Sequence, residues 1–274
     1  MNLTLYITTL KLSQWAILSW AIVLVLYGVF VVWIYGSVEQ ATGLAEYIDS
    51  MPDFVKEAIG LTDELVDSYF TAGGISFDGY LATEYISWWP IMLGVYAVMV
   101  GSGIVAREVE RGTIEVLLSQ PVPRYVFVAT KFAAFITVVA ILTVFSVVGI
   151  VAGLPTSGQT VDILRVSLAA AVGGLAVVTI AAYSLLLSCW LLDPRKAMAV
   201  AGGLTAGLYI LSILGPVLGP VDWLQKLSLF YYFKPLEILF QGTFPLSGVL
   251  VYVGVAVACF VASLVVFQRR RTVV

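Results

Sequence analysis

Six long apolar runs, separated by shorter polar segments, make up most of the 274-residue chain. Each run is close to the roughly 20 apolar residues that a helix needs to cross a membrane. None alternates with the period of two that marks a membrane β-strand. Because backbone groups in lipid must pair within their own segment, the runs are predicted to be helices. Their predicted bounds are 15–35, 84–105, 132–154, 164–192, 197–215 and 246–267.

Composition agrees with this pattern. Hydrophobic residues make up 61% of the chain and charged residues only 11%, with a mean hydropathy of +1.01. A soluble domain has about 25% charged residues. The fold class is therefore predicted to be an all-α integral membrane protein, a single domain over 1–274 with six transmembrane helices.

The basic residues predict the orientation of these helices. With both termini in the cytoplasm, ten of the 14 Lys and Arg residues but only four of the 17 acidic residues lie on the inner side. Cytoplasmic loops carry the excess of Lys and Arg in membrane proteins. We therefore expect a multi-pass plasma-membrane protein whose N- and C-termini are cytoplasmic.

Three segments outside the predicted spans have residue patterns that differ from those of an ordinary polar loop. Residues 1–14 place Leu3, Tyr6, Ile7 and Leu10 on one helical face, which predicts a short amphipathic helix in the inner interface. The outer segment 36–83 holds nine acids and one base, and is expected to form short helices. Its charge indicates either an acidic vestibule that favours cations or a solvated acidic surface.

The segment 216–245 is too apolar for an ordinary loop and too rich in Pro and Gly for a span. It predicts a re-entrant-like helical hairpin that dips into the outer leaflet or lies on it. Nearby, Gly203 and Gly207 have the spacing of close helix contacts. That contact is expected either within the chain or between two copies.

The sequence offers no apparatus for driving transport by itself. It contains no histidine, no acidic or basic residue near the centre of any predicted span, and no Gly-rich phosphate loop. Energy for uphill transport would therefore have to come from another chain. A stand-alone secondary transporter or channel is the alternative, and a scaffold or intramembrane enzyme is a third hypothesis that no nucleophile–base set supports.

The segment 106–131 is densely charged with both signs and lies between the second and third predicted spans. Thr113 is predicted to cap a short helix, in which Leu117 and Leu118 make an apolar face and which Pro121 ends. An apolar face of this kind in water indicates a docking element for a partner. The other interpretation is an ordinary connecting loop with charges beside the membrane.

This segment resembles the pattern E-x-E-x-G-T-[ILV]-x-x-L-L-[ST]-x-P-[VI]-x-R-x-x-[FIV]-x-x-K of type-2 ABC transporter permeases, the membrane subunits of ATP-driven exporters. The matching residues are Glu108, Glu110, Gly112, Thr113, Leu117, Leu118, Pro121 and Arg124, and Lys131 lies one position beyond the lysine of the pattern. The order of an amphipathic N-terminal helix, six spans and an outer hairpin before the last span is also similar to that family. The long acidic segment 36–83 departs from it, because many members have a shorter one.

The resemblance implies a coupling helix that sits in a cleft of a separate ATP-binding subunit. The residues expected to serve this coupling are Glu108, Glu110, Arg111, Gly112, Thr113, Leu117, Leu118, Pro121 and Arg124. This chain would hold no cofactor, since ATP and Mg would be bound by the partner subunit. Other expected partners are a second permease copy, identical or different, and membrane lipid, with no nucleic acid.

The resemblance also implies that the second and fifth spans line the translocation path. Candidate path residues are Trp88, Trp89, Tyr96, Met99 and Tyr209. Contact with lipid or simple helix packing is the other interpretation of these side chains. The sequence does not name the cargo, although the apolar and aromatic spans favour an amphipathic one.

Overall fold

The computed structural model describes residues 2–38, 52, 70–71, 74–113, 123–214 and 223–270. Within these ranges it has six helical segments long and apolar enough to cross a membrane, as predicted. The helices are α1 (Leu3–Val38), α2 (Phe77–Leu81), α3 (Trp89–Gly103), α4 (Ala106–Glu110), α5 (Arg124–Ser157), α6 (Ile163–Leu191), α7 (Pro194–Leu214), α8 (Pro235–Gln241) and α9 (Leu246–Arg269). A two-residue antiparallel ladder, β1 (Phe70–Thr71) with β2 (Gly74–Ile75), precedes α2.

The spans alternate in direction, so the bundle has two ends. The α4 end holds the starts of α1, α5 and α7 and the last turns of α3, α6 and α9. The α8 end holds α2, the start of α6 and the last turns of α1 and α5. Most of the outer segment 36–83 lies outside the described residues, and its described part is the small ladder, α2 and the turn that follows.

The first helix differs from its prediction. The sequence places a separate interface helix over 1–14, but α1 is one helix of 36 residues without a break. It is about 54 Å long at 1.5 Å per residue, which exceeds the apolar thickness of a bilayer. Its first turns are held on α5, because the Asn2 backbone N–H donates to Thr130 Oγ1 at 3.1 Å and the Tyr6 and Thr137 hydroxyls lie 2.7 Å apart.

The second span begins earlier than predicted and is not a uniform α-helix. It runs over Phe77–Gly103 and consists of α2, a π-helical segment (Ala82–Ile86), a short turn and α3. The π-helical segment carries Tyr85, whose hydroxyl donates to the backbone oxygens of Leu24 and Ser146 at 3.1 and 3.2 Å. This wider turn thus joins the second span to both α1 and α5.

Glycines let α1 and α5 approach closely. A Cβ atom on Gly149 would lie 2.8 Å from the Val25 Cα, and one on Gly153 would lie 2.8 Å from the Val32 Cβ. No larger side chain fits at such distances without moving the opposite helix. Packing of the two backbones therefore depends on glycine at both positions.

The fourth span, α6, is the centre of the bundle. It contacts α3, α5, α7 and α9, and 78% of its most apolar 18-residue window is buried, against 11% for α7 and for α9. Gly173 and Gly174 do not interrupt the helix. These glycines make room for Trp89, whose ring would lie 3.0 Å from a Cβ atom on Gly173.

The segment predicted as an outer hairpin is partly helical. Its described part has a 3₁₀ segment at 223–227, a second one at Phe230–Tyr232, and then α8. Arg165, in the first turn of α6, donates through one guanidinium nitrogen to the carbonyl oxygens of Leu239 and Phe240 at 2.8 and 2.9 Å. Because these are last-turn carbonyls of α8, Arg165 both caps α8 and fixes it to the span bundle.

Candidate functional site

The charged segment begins at a sharp break between α3 and α4. The backbone N–H groups of Val105 and Ala106 cannot pair within a helix, and both donate to Ser188 Oγ of α6, at 3.2 and 3.0 Å. All three residues are fully buried. A side chain of the central helix therefore caps α4 and fixes where the segment leaves the membrane span.

Glu108 joins α4 to the start of α5. Its carboxylate lies 2.6 Å from Lys131 Nζ, and it also accepts a hydrogen bond from the Thr113 hydroxyl. Burial raises the pKa of Glu108, but the hydrogen bonds from Lys131 and Thr113 outweigh it and hold the pKa below its usual value. Lys131 also lies 4.9 Å from the centre of the Phe127 ring. Two of the predicted coupling residues, Glu108 and Thr113, are thus in direct contact, and Glu108 also binds Lys131 of α5.

Arg124 fixes the other end of the segment. Its guanidinium donates to the Arg270 carbonyl oxygen at 2.7 Å and lies 5.8 Å from the centre of the buried Phe267 ring. The Arg270 guanidinium in turn donates to the carbonyl oxygen of Trp190, in the last turn of α6. A chain of hydrogen bonds therefore ties α5, α9 and α6 together at the α4 end.

The middle of the segment is presented outward. Glu110, Arg111, Gly112 and Thr113 are exposed, and Gly112 adopts a positive φ of 67°, which suits glycine. Leu117, Leu118 and Pro121 lie outside the described residues. The segment is therefore anchored to the bundle at both ends, and the exposed residues that follow α4 face solvent.

A second feature is an apolar groove between the second and fifth spans. It encloses about 570 Å³, and Met99 of α3 and Tyr209 of α7 both line it. The Tyr209 ring packs edge-on against Phe230, with ring centres 5.3 Å apart. The other residues that line the groove are Ile91, Val95, Val98, Met198, Gly202, Thr205, Ala206 and Phe230. This groove can hold an apolar group, and its lining has no acidic or basic side chain.

A sequence profile described as "ABC-2 family transporter protein" matches residues 11–271, nearly the whole chain. The chain belongs to the ABC-2 transporter family. It is therefore a permease subunit of an ABC transporter, a membrane transport component and not itself an enzyme. No individual curated protein matches the chain.

The five candidate path residues of this ABC-2 permease occupy different places. Only Met99 and Tyr209 meet in the groove. Trp89 is 2% exposed and packs in the core against Gly173, while Tyr96 stacks on Phe135 at 6.0 Å between ring centres, on another side of α3. Trp88 is 48% exposed at the α8 end and does not line the groove.

Two residues that shape the site in this permease carry no role in the sequence predictions. Ser188 lies inside an apolar run, where a serine usually bonds its own helix and gives no signal of a contact with a neighbour. Arg270 lies in the run Arg269–Arg271, which the charge count treats only as part of the inner excess. Both depend on long-range contacts that a linear pattern does not encode.

Proposed function

We propose that this permease moves substrate out of the cell when separate ATP-binding subunits dock on its segment 106–131. The α4 end would face the cytoplasm, as the distribution of Lys and Arg predicts. ATP and Mg would be bound by the docked subunit, and a second permease copy would complete the path. The plasma membrane is the expected location.

One observation carries this proposal: both described ends of the segment are fixed to the spans by Glu108–Lys131 and by Arg124–Arg270. A push on such a segment reaches α5 directly and α6 and α9 through Arg270 and Ser188. A flexible connecting loop would absorb the same push. The arrangement thus favours mechanical coupling over the ordinary-loop interpretation.

The second copy is expected to pack on α7. Val200, Leu204, Ile210 and Leu214 recur there at helical spacing and are 46–53% exposed. Gly203 and Gly207 lie on the same face. A close helix contact would suit this face.

The test is co-purification, in detergent, with the ATP-binding subunit encoded beside this chain. Wild type is compared with Glu110→Ala and with the double variant Leu117→Ala/Leu118→Ala. Arg195→Ala serves as the control, because Arg195 is an exposed charge at the same end but outside the segment.

We expect wild type and Arg195→Ala to retain the ATP-binding subunit. Removing both leucine side chains from the docking contact should weaken binding at least a hundredfold, at roughly 1.5–3 kcal/mol each. Failure of the subunit to co-purify with wild type, or equal binding by all variants, would overturn the coupling assignment and favour a stand-alone carrier.

A further inference from the structure

A second cavity lies at the α4 end, on the side of α3 away from the groove. It encloses about 520 Å³ between the first turns of α1, the last turns of α3, α4 and the start of α5. Its lining residues are Leu5, Thr8, Thr9, Leu10, Leu12, Ser13, Tyr96, Val100, Gly103, Ile104, Arg107, Glu108, Arg111, Thr113, Lys131, Ala134, Phe135 and Val138. Unlike the groove, it has a charged part and an apolar part.

The charged part has an excess of positive charge. Lys131 and Glu108 neutralise each other as a salt bridge. Arg107 and Arg111 remain, and among the described residues neither has a carboxylate within salt-bridge distance. The described lining therefore presents two guanidinium groups without a salt bridge, although Arg111 interacts electrostatically with Glu108. Such groups suit an anion with several oxygen acceptors.

The backbone beside Arg107 makes room for its side chain. A Cβ atom on Gly103 would lie 2.9 Å from a terminal guanidinium nitrogen of Arg107, so glycine lets the guanidinium lie against the end of α3. Gly103 and Arg107 both line the cavity. The guanidinium of this exposed residue thus lies at the cavity wall.

The apolar part continues from these arginines toward the middle of the bundle. Val100 and Tyr96 follow Gly103 back along α3, and Phe135 and Val138 face them from α5. Tyr96 stacks on Phe135, which keeps this wall continuous. A ligand that fits both parts has an anionic head and an apolar tail, which is the chemistry of a membrane phospholipid.

We propose that this cavity binds an anionic phospholipid from the leaflet around the α4 end. Its phosphate would contact Arg107 and Arg111, and an acyl chain would lie along Val100, Phe135 and Val138. Basic pockets between spans are a recognised mode of binding anionic head groups. Bound lipid would bridge α1 to α4, which is the start of the segment 106–131. The proposal does not depend on docking of an ATP-binding subunit.

The test measures lipid binding to the purified, delipidated permease by native mass spectrometry. Phosphatidylglycerol is compared with phosphatidylcholine, and inorganic phosphate is added alone as a competitor. The variants are Arg107→Gln/Arg111→Gln and Gly103→Ala. The matched control is Arg195→Gln/Lys196→Gln, which removes two exposed basic charges at the same end outside the cavity.

We expect wild type to prefer phosphatidylglycerol, and removal of both arginines to weaken that binding by roughly tenfold or more, since each basic contact near a head group contributes about a factor of five. Gly103→Ala displaces only the flexible end of Arg107, so it should fold normally and bind more weakly. The control should bind as wild type does.

Three results would overturn the proposal. Equal affinity for the two lipids would show that the arginines do not recognise the head group. Equal weakening by the control would reduce the effect to general surface charge. Displacement of phosphatidylglycerol by inorganic phosphate at the same concentration would identify a phosphate site that does not need the acyl chain. The unfolding temperature of each variant without lipid separates loss of binding from loss of fold.

Discussion

The α1–α5 pair and the exposed face of α7 both present glycines four residues apart, yet they use them differently. On α5, Gly149 and Gly153 lie against α1 so closely that an added Cβ atom would be 2.8 Å from the facing atoms. On α7, an added Cβ atom at Gly203 or Gly207 would meet none of the described residues within 4 Å. The same spacing thus closes one contact and leaves another face open.

The difference teaches what glycine spacing indicates in a membrane helix. Two glycines one turn apart allow two helices to approach closely. Lipid provides no hydrophobic driving force between helices, so close packing must hold them together. They do not indicate whether the facing helix belongs to the same chain. In this permease the α5 pair packs against α1 of the same chain, whereas no described residue packs against the α7 pair.

The largest effect on stability is expected from Gly149→Leu, at the contact between α1 and α5. A leucine there would meet the α1 backbone at Val25, so the two helices must separate. Overpacking typically costs about 1–3 kcal/mol, and a backbone collision should reach or exceed the upper end. We expect a large fall in thermal unfolding temperature in detergent, or no folded protein.

The control for that experiment is Gly254→Leu in α9. A Cβ atom at this exposed glycine would meet nothing within 4 Å. Replacing a helical glycine gains about 1 kcal/mol of helix propensity, so the control should be as stable as wild type or slightly more stable. Similar losses in both variants would mean that close packing does not distinguish Gly149.

The sequence predictions agree with the structure where the information is local, and they miss features that depend on long-range contacts. Hydropathy alone identified all six spans, and α6 begins and ends within one residue of its prediction. It could not show that residues 3–14 continue α1, because that continuity depends on contacts of Asn2 and Tyr6 with α5.

The candidate site divides in the same way. The predicted segment 106–131 includes Glu108, Thr113 and Lys131, and Glu108 and Lys131 lie only 23 residues apart in the chain. Arg270 lies 146 residues from Arg124, and no local pattern joins them. Trp89 and Met99 share a helix but face different sides, which the predicted span could not resolve without knowing what packs around α3.

A second prediction concerns the exposed glycine face of α7, and it is tested with the double variant Gly203→Leu/Gly207→Leu. Because nothing within the described chain faces these positions, the unfolding temperature of the monomer should not fall. If a second copy packs closely on α7, the same leucines should hold the helices apart and remove most of the dimer. Chemical cross-linking in native membranes measures the dimer fraction, with Gly254→Leu again as the control. A dimer that persists unchanged would place the second copy on another face.

The smallest effect on stability is expected where α5 is joined to α4 by an ion pair, rather than to α1 by close packing. Glu108→Gln removes the ion pair with Lys131 and should lower the free energy of unfolding by roughly 1–3 kcal/mol at neutral pH. The folded-state pKa of Glu108 lies below its ordinary value of 4.5, so the carboxylate stabilises the fold above 4.5 and loses that contribution as the pH falls through the lower folded value. Wild type should therefore lose part of its stability on acidification, and the difference from Glu108→Gln should shrink over the same range. Thermal unfolding of both proteins from neutral to acidic pH measures it. A gap between them that stays constant in acid would mean that the Glu108 charge is not what joins α4 to α5.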